Sequence, residues 1–285
     1  MAKEITAELV MALRHATGIG IGKCKEALQE SDGDIELAVK NLRKAGLASA
    51  VKKEGRETKE GACIIAENDQ LLAVIEANAE TDFVVSNKLF QEFGKNVAEA
   101  ALKKRPKSVD ELLATPCLHD PSMTVDNYRA ITIQTLGENI QIKRLALFDK
   151  GTTHSVASYS HMGGKIVVVV ELTGSSGEES LARDIAMHIA AESPEYVDIK
   201  DVPEEIKKRE AEIAESQVKG RPANMIEKIV EGKVRAYYDQ VCLLRQKYIR
   251  NSELTVTALL EKRSKEIGKP LTVERFIRWT VGEQG

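Results

Sequence analysis

Apolar positions recur along this chain with two different periods, and the places where the period changes divide it into segments. Residues 6–46 follow a helical period. Thr6 can cap a first helix carrying Leu9, Val10 and Leu13, and Thr17-Gly18 stops it. Cys24, Ala27 and Leu28 mark a second short helix, and Ser31-Asp32-Gly33 is turn chemistry. Ile35, Val39 and Leu42 share one face of a third helix, with Gly46 standing where a C′ glycine belongs. Residues 48–60 are rich in Lys, Glu and Arg and read as a linker that can extend the third helix. From Gly61 the period becomes strand-like. Residues 62–66 and 71–77 flank Glu67-Asn68-Asp69-Gln70, a hairpin turn signal. A helix then carries Leu89 or Phe90, Phe93, Val97 and Ala101 on one face and ends before Pro106. Residues 107–124 are weakly patterned, 127–136 read as a helix stopped by Gly137, and 140–148 resume strand character.

The second half repeats part of this plan. Residues 155–160 and 165–172 read as strands joined through Met162-Gly163-Gly164, and a helix over 178–191 follows. Ala73-Val74-Ile75-Glu76 lines up with Val168-Val169-Val170-Glu171, and 94–98 lines up with 186–190. The pattern predicts a duplicated strand-strand-helix unit and an α+β fold, each antiparallel sheet covered by a helix. Glu76 and Glu171 are expected at edge or exposed positions. After Pro194, residues 204–218 and 225–243 form two amphipathic helices around the turn Lys219-Gly220-Arg221-Pro222, a hairpin arm. A short helix over 255–267 precedes a final strand in which Ile277, Trp279 and Val281 share a face. The resulting division is 1–54 for the three helices and linker, 55–139 for a first core portion, and 140–285 for a second, with the arm at 203–250.

Composition narrows the chemistry. The chain has 285 residues, 42% of them apolar and 30% charged, with a net charge of −3, as in soluble globular proteins. That charge is not the basic footprint of a nucleic-acid binder. No apolar leader stands at the start, and the longest aliphatic run, 166–170, is too short to cross a bilayer. Cys24, Cys63, Cys117 and Cys242 are scattered, without metal-ligand or disulfide-framework spacing. A reduced, cytoplasmic protein without cofactor or metal is the expectation. Gly18-Ile19-Gly20-Ile21-Gly22-Lys23 suggests a phosphate loop. The required spacing, however, puts Thr17 where a glycine is needed and Cys24 where Ser or Thr is needed, and no strand precedes it. It reads as a helix–helix turn whose isoleucines form an exposed apolar tip. His188 lies beside the apolar face of its helix, a common place for a core histidine. No nucleophile–base arrangement is evident; an enzyme using Cys63 or Cys117 lacks a paired His motif.

Thr81-Asp82-Phe83-Val84 stands at a strand-to-helix corner, and aromatics make up only 4% of the chain. Two readings compete there. Phe83 can fold back as a hydrophobic staple while Asp82 caps the helix, or a rigid scaffold can present both to a partner.

Eight stretches, taken together and in order, resemble the bacterial elongation factor Ts family. They are Leu13-Arg14 with 17–20, Cys24-Lys25-Glu26-Ala27-Leu28, Gly33-Asp34-Ile35-Glu36, Thr81-Asp82-Phe83-Val84, Gly137-Glu138-Asn139-Ile140, 187–191, Ile229-Val230-Glu231-Gly232, and Phe276-Ile277-Arg278 with Val281-Gly282-Glu283. The resemblance implies guanine-nucleotide exchange on GDP-bound elongation factor Tu rather than enzymatic bond chemistry, with no direct nucleic-acid or membrane partner. It also implies an N-terminal ubiquitin-associated-like three-helix domain, two related core subdomains, and an arm that serves dimerisation in some members. By the family's pattern, Asp82 and Phe83, between Thr81 and Val84, intrude beside the partner's magnesium site. Arg14, Ile21 and Gly22 match positions touching its nucleotide domain, and His188 with Ile189 matches the contact on its phosphate-loop side. Gly22 replaces one of two large apolar residues common in the family. The C-terminal helix of many members is expected to be missing here. A polypeptide-binding adaptor built on the three-helix domain is the alternative.

Overall fold

The computed structural model describes residues 5–17, 19–218 and 223–283. Gly18 and the turn expected at 219–222 lie outside the described residues. The chain divides into two compact units. The first holds residues 1–148 with the short segments 163–165 and 280–285, and the second holds 149–162 and 166–279.

The first unit begins with α1 (Ala7–Thr17), α2 (Ile21–Glu30) and α3 (Ile35–Lys53). Val10, Leu13, Ile19, Cys24, Leu28, Ala38 and Leu42 form their shared core. Asp34 caps α3 by accepting from the Leu37 backbone N–H at 3.0 Å. Gly46 does not end this helix, which continues to Lys53. A Cβ at position 46 would stand 3.3 Å from Gln134 Oε1 and 3.4 Å from the Ala130 carbonyl oxygen, so the glycine allows close helix packing. Those neighbours belong to α7 (Val125–Leu136), the helix that follows the short α6 (Val109–Ala114).

The linker expected after α3 is a bound segment rather than a free tether. Asn139 Nδ2 donates to the carbonyls of Glu54 (3.3 Å) and Arg56 (2.9 Å). The Thr58 hydroxyl donates to Gln141 Oε1 at 3.1 Å, and Lys143 Nζ donates to the Thr58 carbonyl at 2.9 Å.

Strands β1 (Glu60–Glu67), β2 (Leu71–Ala79) and β3 (Ile140–Asp149) form one sheet in that order, with β1 and β2 antiparallel. β3 begins the third stretch of the sequence-based division, yet it is hydrogen-bonded to β2 in this first sheet. Every residue of β2 is buried, as expected of a central strand covered on both faces. Ala73, Ile75, Ala77 and Ala79 pack with Phe90, Phe93, Val97 and Ala101 of α5 (Lys88–Lys104). Phe90, not Leu89, is the buried choice at the start of that helix.

The second unit is built alike. β4 (His154–His161), β5 (Ile166–Thr173) and β8 (Thr272–Thr280) form a sheet with β5 central. Val168, Val170 and Leu172 pack with Ala182, Ile185, Ala186 and Ile189 of α8 (Glu179–Glu192). α9 (Glu204–Ser216) and α10 (Ala223–Val241) pack together as the arm, around Val202, Ile206, Tyr237 and Val241 at its base. The two-stranded ladder β6 (Lys247–Tyr248) and β7 (Asn251–Thr255) and the helix α11 (Val256–Ile267) complete the unit. Among the described residues, no helix is long and apolar enough to cross a membrane.

Glu76 and Glu171 are buried, contrary to the edge or exposed positions expected for them. Each lies on a central strand, on the face away from the covering helix. Each pairs with an arginine of the third strand. Arg144 Nε donates to Glu76 Oε2 at 2.6 Å, and Arg275 Nε donates to Glu171 Oε2 at 2.7 Å. Glu76 also accepts from Asn78 Nδ2 at 3.0 Å and the Gly282 backbone N–H at 3.2 Å. Glu171 also meets His154 Nδ1 at 2.8 Å. A local alternation pattern cannot reveal these partners, which stand 68 and 104 residues away in sequence. The matched Glu–Arg pairs strengthen the likeness of the two sheet-and-helix motifs.

Candidate functional site

The chain leaves β2 at Glu80 and turns at Thr81, which caps the four-residue helix α4 (Asp82–Val85). The Thr81 hydroxyl accepts from the Val84 backbone N–H at 3.4 Å. Asn87 caps the following helix, accepting from the Leu89 N–H at 2.9 Å. The capping expected of Asp82 thus falls to Thr81 and Asn87.

Val84 is buried in the main apolar cluster of the first unit. Phe83 is 84% exposed and does not fold back on the helix. Exposing a side chain of that size forgoes about 1.5–3 kcal/mol of burial. The corner is therefore anchored from within by Val84 while it presents Phe83, with Asp82 also exposed, to the surroundings.

Glu138 braces the same corner. Its carboxylate accepts from the Thr81 backbone N–H at 2.9 Å and from the Thr81 hydroxyl at 2.7 Å. Next to it, the Glu80 carboxylate accepts from the Asn139 backbone N–H at 2.7 Å and lies 3.4 Å from Arg56 Nη1. Two successive residues of each segment thus bind the other. Sequence reasoning noted Gly137-Glu138-Asn139-Ile140 but gave Glu138 no role. The available signal was Gly137, whose φ of +84° ends α7 and fixes where Glu138 begins.

Arg14 and Ile21 flank the α1–α2 connection, one in the last turn of α1 and the other first in α2. Ile21 is 50% exposed, whereas Ile19 is buried and anchors the corner. The exposed tip expected of both isoleucines therefore belongs to Ile21 alone. Gly22 is exposed, and a Cβ there would meet nothing within 4 Å. Gly22→Ala should raise stability by about 0.5–1 kcal/mol, since alanine loses less backbone freedom in a helix. The denaturant midpoint checks this.

His188 and Ile189 are buried. His188 Nδ1 accepts from the Ile249 backbone N–H at 3.3 Å, and Nε2 faces Gln246 Oε1 at 2.9 Å. The ring is thus the neutral Nε2–H tautomer, holding the turn that exposes Ile249. Burial lowers its pKa below the ordinary 6.5, against smaller upward pulls from the Gln246 hydrogen bond and Glu192. An unfolded histidine takes up a proton before the folded one does. The His188 contribution is therefore complete above about pH 6.5 and declines as pH falls through that value toward the lowered folded pKa. Thermal unfolding between about pH 7.5 and 5.5 should show this decline, and His188→Gln should flatten it.

The sequence reading placed Met162 in a strand connection and gave it no further role. Met162, at the β4–β5 tip, is 70% exposed. Its left-handed backbone, φ +51°, continues through Gly163 at +66°. All four cysteines are free and buried. Burial, aided by Glu76, pushes the Cys63 thiol up to about 12, far from the thiolate a nucleophile needs.

The two corners thus each present an exposed apolar side chain, Phe83 and Ile21, on an anchored backbone. The family described as "Elongation factor TS" matches residues 80–283 of this chain. Elongation factor Ts of Protochlamydia amoebophila (strain UWE25) is 54% identical over 279 residues, covering 98% of this chain and 99% of that protein. Elongation factor Ts of Chlamydia felis (strain Fe/C-56) is 46% identical over 275 residues, covering 96% and 98%. That of Chlamydia pneumoniae is 44% identical over 279 residues, covering 98% and 99%. The chain belongs to the elongation factor Ts family, whose work lies in the elongation stage of protein biosynthesis.

Proposed function

We propose that this protein accelerates GDP release from elongation factor Tu by inserting the Asp82-Phe83 corner beside the magnesium ion of the GDP-bound partner. The observation that carries this reading is the exposed Phe83 ring on a corner fixed by buried Val84 and two caps. In such a partner, GDP is held by backbone N–H groups of a phosphate loop and by magnesium bridging phosphate to protein oxygens. A large ring pushed against the magnesium-holding segment displaces those oxygens. The adjacent Asp82 carboxylate competes for the hydrogen bonds that held them.

Arg14, Ile21 and Gly22 form a second contact on the α1–α2 corner. His188 and Ile189 act indirectly, through the turn around Ile249 that His188 supports. No covalent bond is made or broken in this scheme. If the factor weakens nucleotide binding, nucleotide weakens factor binding by the same ratio, so entry of GTP expels the factor. The arm, with Ile213 and Met225 exposed, is the surface for self-association.

The test is the release rate of fluorescent GDP from elongation factor Tu in magnesium, with and without this protein. Strong acceleration is the expected result. Binding that neither accelerates release nor responds to the nucleotide would instead favour a polypeptide-binding adaptor, a reading supported by the exposed Met11 and Ile21 of the three-helix segment.

A further inference from the structure

We infer that Glu138 is the positioning residue of the Asp82-Phe83 corner, an inference that rests on the exchange reading above. Phe83 is too exposed for its own packing to fix its direction. α4 has four residues, too few for a self-supporting helix. The direction of the ring therefore follows from the backbone at Thr81 and from what holds it. Val84 fixes the inner side. On the other side the holding group is Glu138, which takes both the backbone N–H and the hydroxyl of Thr81.

The chemistry calls for a carboxylate. Two donors converge on two separate oxygens, each an acceptor only. An amide of the same shape leaves one neutral oxygen for the backbone N–H and turns its NH2 toward the hydroxyl, so both charge-assisted bonds are lost. The Thr81 hydroxyl, by donating to Glu138, keeps its lone pairs for the Val84 N–H, so the brace and the cap support each other. The Glu80–Asn139 bond prevents the two segments from sliding apart. Asn139 also grips the carbonyls of Glu54 and Arg56, so the chain leading from α3 joins the same network. Glu138 needs no contact with the partner; it acts through the corner.

The test is Glu138→Gln in the full-length protein. Maximal GDP release at saturating factor should fall about tenfold, while the factor concentration giving half the effect changes less than about threefold. Glu138→Gln combined with Phe83→Ala should release GDP no more slowly than Phe83→Ala alone, because both changes act through one ring. A parental rate in Glu138→Gln, or full additivity in the double variant, would overturn the inference.

Amide hydrogen exchange separates this inference from the exchange reading. Should the parent fail to accelerate release, that reading falls, and the Thr81 amide decides the positioning role. Exchange at least about tenfold faster in Glu138→Gln, with residues 73–77 unchanged, supports it, and an unchanged Thr81 rejects it. If Glu138→Gln does not fold, Glu138→Asp replaces it: a carboxylate one methylene shorter should leave the Thr81 amide exchanging at least about tenfold faster, and an unchanged Thr81 rejects the inference.

Discussion

Replacing Phe83 with alanine should slow stimulated GDP release by about 10- to 100-fold while leaving the folded protein intact. The size of the effect follows from hot-spot energetics, since truncating a central anchor ring costs about 2 kcal/mol or more, and 1.4 kcal/mol is a factor of about ten. The sparing of the fold follows from the 84% exposure of the ring. An exposed substitution away from special backbone features usually changes stability by about 0.5 kcal/mol or less. Binding to elongation factor Tu should persist through the α1–α2 corner. Release kinetics against factor concentration, run alongside thermal unfolding, separate the two effects. A variant that exchanges at the parental rate removes the wedge from the mechanism, and a variant that unfolds early shows that Phe83 carries packing the structure does not show.

The largest stability loss is expected from Arg144→Met. Glu76 is 0% exposed, and Arg144 supplies its only full opposite charge among the partners described above. Leaving a buried carboxylate without its cation costs about 3–5 kcal/mol. Replacing both members, Glu76→Gln with Arg144→Met, should recover much of that loss, because the uncompensated charge is then gone. Urea unfolding of the two single variants and the double variant measures the coupling. Equal losses in the single and double variants would show that packing, rather than charge, dominates at this site.

The elements were largely legible because several apolar periods in the sequence match the packing found. The Ile35, Val39 and Leu42 face of α3 and the Phe90, Phe93 and Val97 face of α5 are examples. What stayed hidden depends on chain separation. Gly46 looked like a helix end because its packing partner lies on α7, far along the chain. Glu76 and Glu171 looked exposed because strand alternation describes a sheet with one open face, and here both faces of β2 and β5 are covered. The residues 247–255 ladder escaped because β6 has only two residues.

The candidate site was legible to a similar degree. The Thr81–Val84 corner stood out from its place between a strand and a helix and from the scarcity of aromatics, but whether Phe83 faced inward or outward was not encoded locally. That orientation follows from Val84 taking the buried position. His188 was readable as a core histidine, and its role in holding Ile249 required the fold. Glu138 was visible only as part of a motif, since its partner Thr81 is 57 residues away.

If both corners contact the partner as proposed, the hydrogen-bonded segment after α3 gives this protein a bivalent grip without a flexible tether. The α1–α2 corner and the Phe83 corner belong to one compact unit, and residues 54–59 between them are held by Asn139, Gln141 and Lys143. Once either corner has docked, the other is already at high effective concentration. The closure entropy of a loose linker does not weaken its approach. The same rigidity sets a geometric limit. Two sites on a partner can be engaged together only at the spacing this unit dictates, so a conformational change in the partner that alters the spacing breaks both contacts at once.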